Sequence, residues 1–100
     1  MGKINLRDVS NALPETWRSK IVGHAAGANV KVLRMDEVAS GEEPHAYDEG
    51  LLVADGELKL GIGGQIVTVS AGEIFIVPAN TPHVVAAGSH GTLVIIDQDE

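Results

Sequence analysis

Apolar and polar residues alternate with a repeat of two along most of the chain from Trp17 onward. This pattern is typical of strands with one buried face, and short strands spaced about 8 to 12 residues apart are typical of a sandwich or barrel. The fold class predicted from the pattern is all-β. The predicted strands lie near residues 18–25, 29–36, 43–47, 49–54, 57–62, 65–70, 73–77, 82–87 and 92–97.

The first residues follow a different pattern. Leu6 to Ala12 predict a short helix, with Asn5 as its N-cap and Asp8 near the positive end of its dipole, and Leu13-Pro14 ends it. We therefore divide the single predicted domain of residues 1–100 into an N-terminal helical arm, 1–16, and a β-barrel, 17–97.

Glycine-containing segments separate the predicted strands. Asp55-Gly56 and Gly63-Gly64 are the strongest turn predictions, because these dipeptides supply the positive φ angles that two-residue hairpins require. We interpret Asp55 and Gly56 as turn residues only. Further turns are predicted at 26–29, 40–42, 71–72 and 88–91.

The predicted strands at 73–77 and 92–97 carry apolar residues on both faces. A chain of 100 residues can bury one core, so the outer faces of these strands need a cover. Either the N-terminal segment folds over the barrel or a second copy of the chain packs against it. We predict a homodimer.

Composition excludes several classes of partner. The net charge is −7, and the chain has only one each of Trp, Tyr and Phe, which argues against a nucleic-acid partner. No apolar run approaches the ~20 residues that cross a bilayer, so no membrane partner is expected. The absence of cysteine and of a secretory signal predicts a cytoplasmic protein.

Two short segments carry the candidate chemistry: 43–49, which contains His45, and 78–83, which contains His83. Here the chain resembles the cupin superfamily, specifically its small single-domain bacterial members. The second cupin motif reads Gly, five residues, Pro, one residue, Gly, two residues, His, three residues, Asn. This sequence matches it at Gly72, Pro78 and His83, with Asn80 at the second Gly position and Ala87 at the Asn position.

The first cupin motif reads Gly, five residues, His-x-His, three or four residues, Glu, six residues, Gly. Glu49 and Gly56 fit its last interval, and a three-residue gap places His45 at the second His and Glu43 at the first. A four-residue gap would place Glu42 and Pro44 there instead. The resemblance implies a jelly-roll-like cupin β-barrel with a degenerate first motif.

The resemblance also implies a metal site with His45, Glu49 and His83 as ligands and Glu43 as a fourth ligand or a base. Glu43, His45, Tyr47 and Glu49 are all odd-numbered, so on an unbroken strand they share one face. Two histidines and a carboxylate suit Fe(II), and the carboxylate-rich set favours Fe(II) or Mn(II), with Zn(II) and Ni(II) as alternatives. Each residue also has a purely structural interpretation, as a rim histidine, a loop residue or a packed ring.

The resulting hypothesis is a metal-dependent enzyme of dioxygenase or isomerase type that acts on a small organic molecule, with Glu43 or Tyr47 assisting proton transfer. Sugar phosphates are disfavoured as substrates, because 41–55 and 60–100 contain no Lys or Arg. The alternative is a non-catalytic cupin that binds a small ligand beside a degenerate metal site. A vestigial site in a structural dimer ranks last.

Overall fold

The computed structural model describes residues 2–37, 40–42 and 44–99, and of 40–42 the backbone alone. Within these residues the chain forms one helix and eight strands. In chain order they are α1 (Leu6–Ala12), β1 (Lys20–Ala25), β2 (Ala28–Met35), β3 (Ser40–Glu42), β4 (Glu49–Ile62), β5 (Gln65–Ser70), β6 (Ile74–Val77), β7 (His83–Val85) and β8 (His90–Asp97). The prediction of an all-β fold with a short N-terminal helix is confirmed.

The long strand β4 joins the two layers of the fold. Its first half pairs with β8 and with β6, and its second half pairs with β5 and with β7. The strands β2 and β1 extend the layer from β8, and β3 extends the other from β7. The described strands form one bent antiparallel sheet that does not close on itself, so the predicted barrel is more accurately a jelly-roll sandwich.

The hydrophobic core fills the space between the two layers. It is built mostly from alternate residues of the strands, as the repeat of two predicts. Leu51, Val53, Leu58 and Leu60 of β4 all contribute and are almost fully buried. The remaining core residues are Leu33, Met35, Val69, Val77, Val85, Leu93 and Ile95.

The predicted turn at Asp55-Gly56 is wrong, because both residues lie inside β4. Gly56 pairs with Gly91 of β8, and both have positive φ angles, 80° and 97°. A Cβ on either glycine would overlap the backbone of the opposite strand. The register also shifts between Val53 and Asp55. The dipeptide thus permits a bulge and a close approach of two strands, which is the other common use of glycine in sheets.

Other turn predictions divide between right and wrong. Gly63-Gly64 forms the predicted hairpin between β4 and β5, with φ angles of 60° and 76°. The predicted turn at 40–42 is wrong, since these residues form β3 and pair with β7. The predicted turn at 88–91 is wrong for Gly91, which lies in β8.

The helix α1 covers part of the outer surface. Its N-cap is Asn5, as predicted, and the Asn5 side chain accepts a hydrogen bond of 3.0 Å from the Asp8 amide. The helix packs against β2, β4 and β8, where Val32 and Val94 are buried on the face opposite the core. The N-terminal arm, one of the two alternative covers, therefore packs over this part of the sheet.

The strand β6 keeps an apolar outer face. Ile74 and Ile76 are 49% and 53% exposed in the single chain. The homodimer that would cover them stays a prediction. The one described helix, α1, is only 7 residues long and is too short to span a bilayer.

Candidate functional site

The centre of the candidate site is a contact between Glu49 and His83, which open β4 and β7. Leu51 and Val85 follow them by two residues and belong to the core, so Glu49 and His83 also point between the layers. Each is only 3% exposed. Glu49 Oε1 lies 3.2 Å from His83 Nε2. Two residues 34 positions apart thus share a buried polar contact beside an apolar core.

The other ring nitrogen of His83 determines what this contact can be. His83 Nδ1 lies 2.9 Å from the backbone carbonyl oxygen of Thr81. A carbonyl oxygen can only accept, so Nδ1 carries the proton and donates it to Thr81. In the neutral imidazole Nε2 is then an acceptor, and it faces a carboxylate oxygen, which also accepts when ionised. Such a pair needs a proton or a cation between its two atoms.

His45 approaches the same carboxylate from a loop. His45 Nε2 lies 3.9 Å from Glu49 Oε2, and the His45 and His83 ring centroids are 6.4 Å apart. The side chain of His45 is about one-fifth exposed, so it stands at the edge of the buried pair. The three side chains predicted to lie together do so.

The predicted strand at 43–47 is wrong for its described residues, because 44–48 form a loop between β3 and β4. Pro44 cannot donate to a sheet, and this segment bonds to the 78–82 loop instead. The Asn80 amide donates to the His45 carbonyl at 2.6 Å, and the Ala79 amide donates to Asp48 Oδ1 at 2.8 Å. These two bonds hold the two motif segments together.

Asn80 occupies the position where the second cupin motif has glycine. Its φ angle is 59°, in the left-handed region that glycine and asparagine enter most readily. The departure from the motif therefore preserves the backbone conformation. That conformation places the Asn80 amide against the His45 carbonyl.

Tyr47 stacks on His45, with ring centroids 5.1 Å apart and ring planes at 11°. It is half-buried, which agrees with the packing interpretation, while a role for its hydroxyl stays a prediction. Glu43 lies outside the described residues. Among the residues that are described, no group of three or more His, Asp or Glu side chains is already spread around a common metal position.

Two residues that help to orient the site, Thr81 and Asp48, were not predicted from the sequence. Thr81 acts on His83 through its backbone carbonyl, so its side chain gives no signal. Asp48 lies inside the predicted segment but was given no role, although it accepts from the Ala79 amide. An acidic residue opposite a Pro-rich turn is too common a pattern to indicate this bond.

Comparisons with known proteins agree with the fold. Residues 31–98 match the family model described as Cupin domain. A cupin-2 domain protein from Shewanella frigidimarina is 22% identical, with a TM-score of 0.83 over 96% of this chain and 94% of its own. A Neisseria meningitidis protein is 24% identical, with a TM-score of 0.82 and coverages of 97% and 99%. No curated protein matches the sequence.

A third solved structure carries a function in its name. A hydroquinone 1,2-dioxygenase in complex with Cd²⁺ and 4-hydroxybenzonitrile is 18% identical, with a TM-score of 0.78 over 96% of this chain and 72% of its own. At this identity the likeness concerns the fold alone.

Proposed function

Since this chain belongs to the cupin domain family, we propose that His45, Glu49 and His83 bind a divalent transition-metal ion. The protein would be a metal-dependent enzyme that acts on a small organic molecule. The observation that carries the proposal is the buried contact of Glu49 with His83 Nε2, at 3.2 Å. The Thr81 carbonyl accepts from Nδ1, so the neutral form of the imidazole presents Nε2 to Glu49 as a possible metal ligand.

The environment of this pair supports a bound cation. Carboxylate oxygens and imidazole nitrogens are both ligands of divalent transition metals, and Glu49 and His83 are each only 3% exposed, so an ion bound here would be shielded from water. A divalent ion would bind the Nε2 lone pair of the neutral imidazole and balance the carboxylate at once. The hydrogen bond from Nδ1 to a backbone carbonyl is also the usual second partner of a metal-ligating histidine.

His45 is the third proposed ligand. Its Nε2 already faces Glu49 Oε2 at 3.9 Å, and the stacked ring of Tyr47 limits its rotation. Glu43 is proposed as a fourth ligand or a base. The donors are imidazole nitrogens and carboxylate oxygens, which favours Fe(II) or Mn(II), with Zn(II) or Ni(II) as alternatives.

When bound, the ion would supply a Lewis acid or an oxygen-activating centre. The chain's own residues hold it, exclude water and leave Tyr47 at the edge, where its hydroxyl could orient a substrate. The dioxygenase with a similar fold was solved with Cd²⁺. Its name supports dioxygenase chemistry as one of the two candidate reaction types, beside isomerase chemistry.

Metal analysis of Glu49→Gln protein tests the proposal. Glutamine keeps the shape of the side chain and can donate an N–H to His83 Nε2, so the variant should fold. We expect about one divalent ion per wild-type chain and an affinity at least ~100-fold lower in the variant. Glu15→Gln is the matched control, because Glu15 is exposed and pairs only with Arg18 in the described contacts. The control should retain its metal.

Equal metal affinity in wild-type and Glu49→Gln protein would contradict the proposal. Metal-free wild-type protein, after refolding with Fe(II), Mn(II), Zn(II) or Ni(II) in turn, would do so as well. In that case a small ligand that still binds wild-type protein would favour the second candidate, a non-catalytic binding cupin. The observation that favours this candidate is the lack of a ready-formed ligand cluster among the described residues.

A further inference from the structure

A cavity of about 100 Å³ is lined mostly by residues of the hydrophobic core. Two of its wall residues, Leu51 and Val85, follow Glu49 and His83 by two positions on the same strands. One such step along a strand is about 7 Å, so this part of the cavity wall lies one side-chain position away from the polar pair. Its aliphatic wall consists of Leu33, Leu51, Val85, Leu93 and Ile95.

Trp17 and Ser19 also line this cavity. They differ from the aliphatic wall, which is buried, because Trp17 is half-buried and Ser19 is exposed. Both lie in the segment that precedes β1. Solvent therefore reaches the cavity beside Trp17 and Ser19.

The backbone of Trp17 is held in an unusual conformation. Its φ angle is 60°, which is costly for a residue other than glycine or asparagine. Two hydrogen bonds maintain it: the amide donates to the Arg34 carbonyl at 2.9 Å, and the indole Nε1–H donates to the Asp36 carbonyl at 2.6 Å. Strain of this kind, fixed by its surroundings, is concentrated at binding sites.

We propose that this cavity is the binding site of a small, uncharged, largely hydrophobic molecule that enters between Trp17 and Ser19. No residue that lines the cavity carries a charge, so a charged group would lose its hydration without gaining a partner. A dry aliphatic cavity of roughly 150 Å³ can hold benzene, so about 100 Å³ holds about four non-hydrogen atoms of a bound molecule, and the rest of that molecule would lie in the opening.

The inference rests on the proposed function in one respect. The bound molecule is taken as the substrate, whose polar end faces Glu49 and His83 while its hydrophobic end fills the cavity. Trp17 would form one wall of the opening through which this molecule enters.

Trp17 is the only tryptophan, so its fluorescence reports on the cavity. Benzene and isobutanol serve as neutral probes, and isobutyrate serves as a charged probe of similar size. We expect a saturable fluorescence change for the neutral probes, with dissociation constants on the order of 1 mM or tighter. Isobutyrate should bind at least about 10-fold more weakly.

Substitutions at the cavity test whether the probes bind there. Ser19→Leu places a larger side chain at the opening, and Val85→Ile adds a methyl group to the wall, so each should weaken benzene binding about 10-fold or more. Ser70→Leu is the matched control, because Ser70 is also exposed but does not line the cavity. Circular dichroism and thermal unfolding establish that each variant is folded.

Wild-type protein without a saturable response to either neutral probe would overturn the inference. So would benzene affinities in both Ser19→Leu and Val85→Ile that equal the wild-type value, or isobutyrate binding as tight as that of isobutanol. Glu49→Gln separates this inference from the metal proposal, since the variant should lose metal but keep benzene binding. Wild-type protein that binds benzene and no metal would contradict the metal proposal alone.

Discussion

At the residue scale, Asn80 connects the two segments of the candidate site. Its positive φ angle, 59°, directs its amide to the His45 carbonyl. We expect Asn80→Ala to lower the free energy of unfolding by about 1 kcal/mol, because alanine enters the left-handed region less readily. Misplacement of His45 should also weaken metal binding. Chemical denaturation and metal titration measure the two effects.

Asn80→Gly is the control for this prediction. Glycine adopts the same φ angle without strain, so stability should stay within about 0.5 kcal/mol of wild type and metal affinity should be retained. If Asn80→Gly loses metal affinity as strongly as Asn80→Ala, the backbone conformation is not what matters. The side chain of Asn80 would then have a role of its own.

The sequence predicted that His45, Glu49 and His83 lie close together, but it did not predict the contacts that bring His45 to the other two. For Glu49 and His83 the resemblance to the cupin motifs identified the residues, and in the structure each shares a face with core residues of its strand. For His45 the predicted strand does not exist, and hydrogen bonds between two loops place it instead. Such bonds depend on the tertiary meeting of segments far apart in sequence, which periodicity cannot reveal. The roles of these residues as metal ligands remain a proposal.

At the scale of elements, the glycines of β4 and β8 show where local rules fail. Asp55-Gly56 has the composition of a hairpin, yet Gly56 lies opposite Gly91 within paired strands. Gly63-Gly64 obeys the same rule and forms the hairpin. The two dipeptides differ in their neighbours, because β8 pairs with β4 at Gly56. The pairing of β8 with β4 joins segments far apart in sequence, so the residues around Gly56 do not reveal it. Strand boundaries predicted near 55 were therefore wrong, while those near 63 were right.

Gly91→Ala tests the close approach of these strands. A Cβ at this position would overlap the Asp55 carbonyl, and the φ angle of 97° is unfavourable for alanine. We expect a loss of about 3 kcal/mol or more in the free energy of unfolding, measured by denaturation, or no folded protein. The control is Gly64→Ala, where φ is also positive but the space for a Cβ is open. It should cost only about 1 kcal/mol.

If the two alanine variants lose equal stability, the overlap with Asp55 is absorbed by a small movement of the strands. The conformational preference of glycine would then account for both effects. A larger loss in Gly91→Ala assigns the difference to the contact between β4 and β8.

At the scale of the whole molecule, a short chain has to cover strands that are apolar on both faces. The sequence predicts this need, and of the two possible covers, the N-terminal segment and a second copy of the chain, a homodimer was the prediction. The N-terminal arm covers the region of Val32 and Val94, whereas Ile74 and Ile76 stay exposed in the single chain. Which strands the helix reaches depends on the order of strands in the sheet. That order was not predicted from the alternation.

Arg34 fastens the arm to the sheet. One guanidinium nitrogen, Nη1, donates to the carbonyls of Ser10 and Leu13 at 2.8 and 2.7 Å, at the C-terminal end of α1. We expect Arg34→Ala to lower the free energy of unfolding by about 2 kcal/mol and to increase amide hydrogen exchange throughout α1, because bonds from a charged donor are strong. Arg18→Ala, which removes an exposed arginine, should change neither quantity appreciably. Unchanged exchange in α1 of Arg34→Ala would mean that the apolar contacts of the helix with β2 and β8 hold the arm without this anchor.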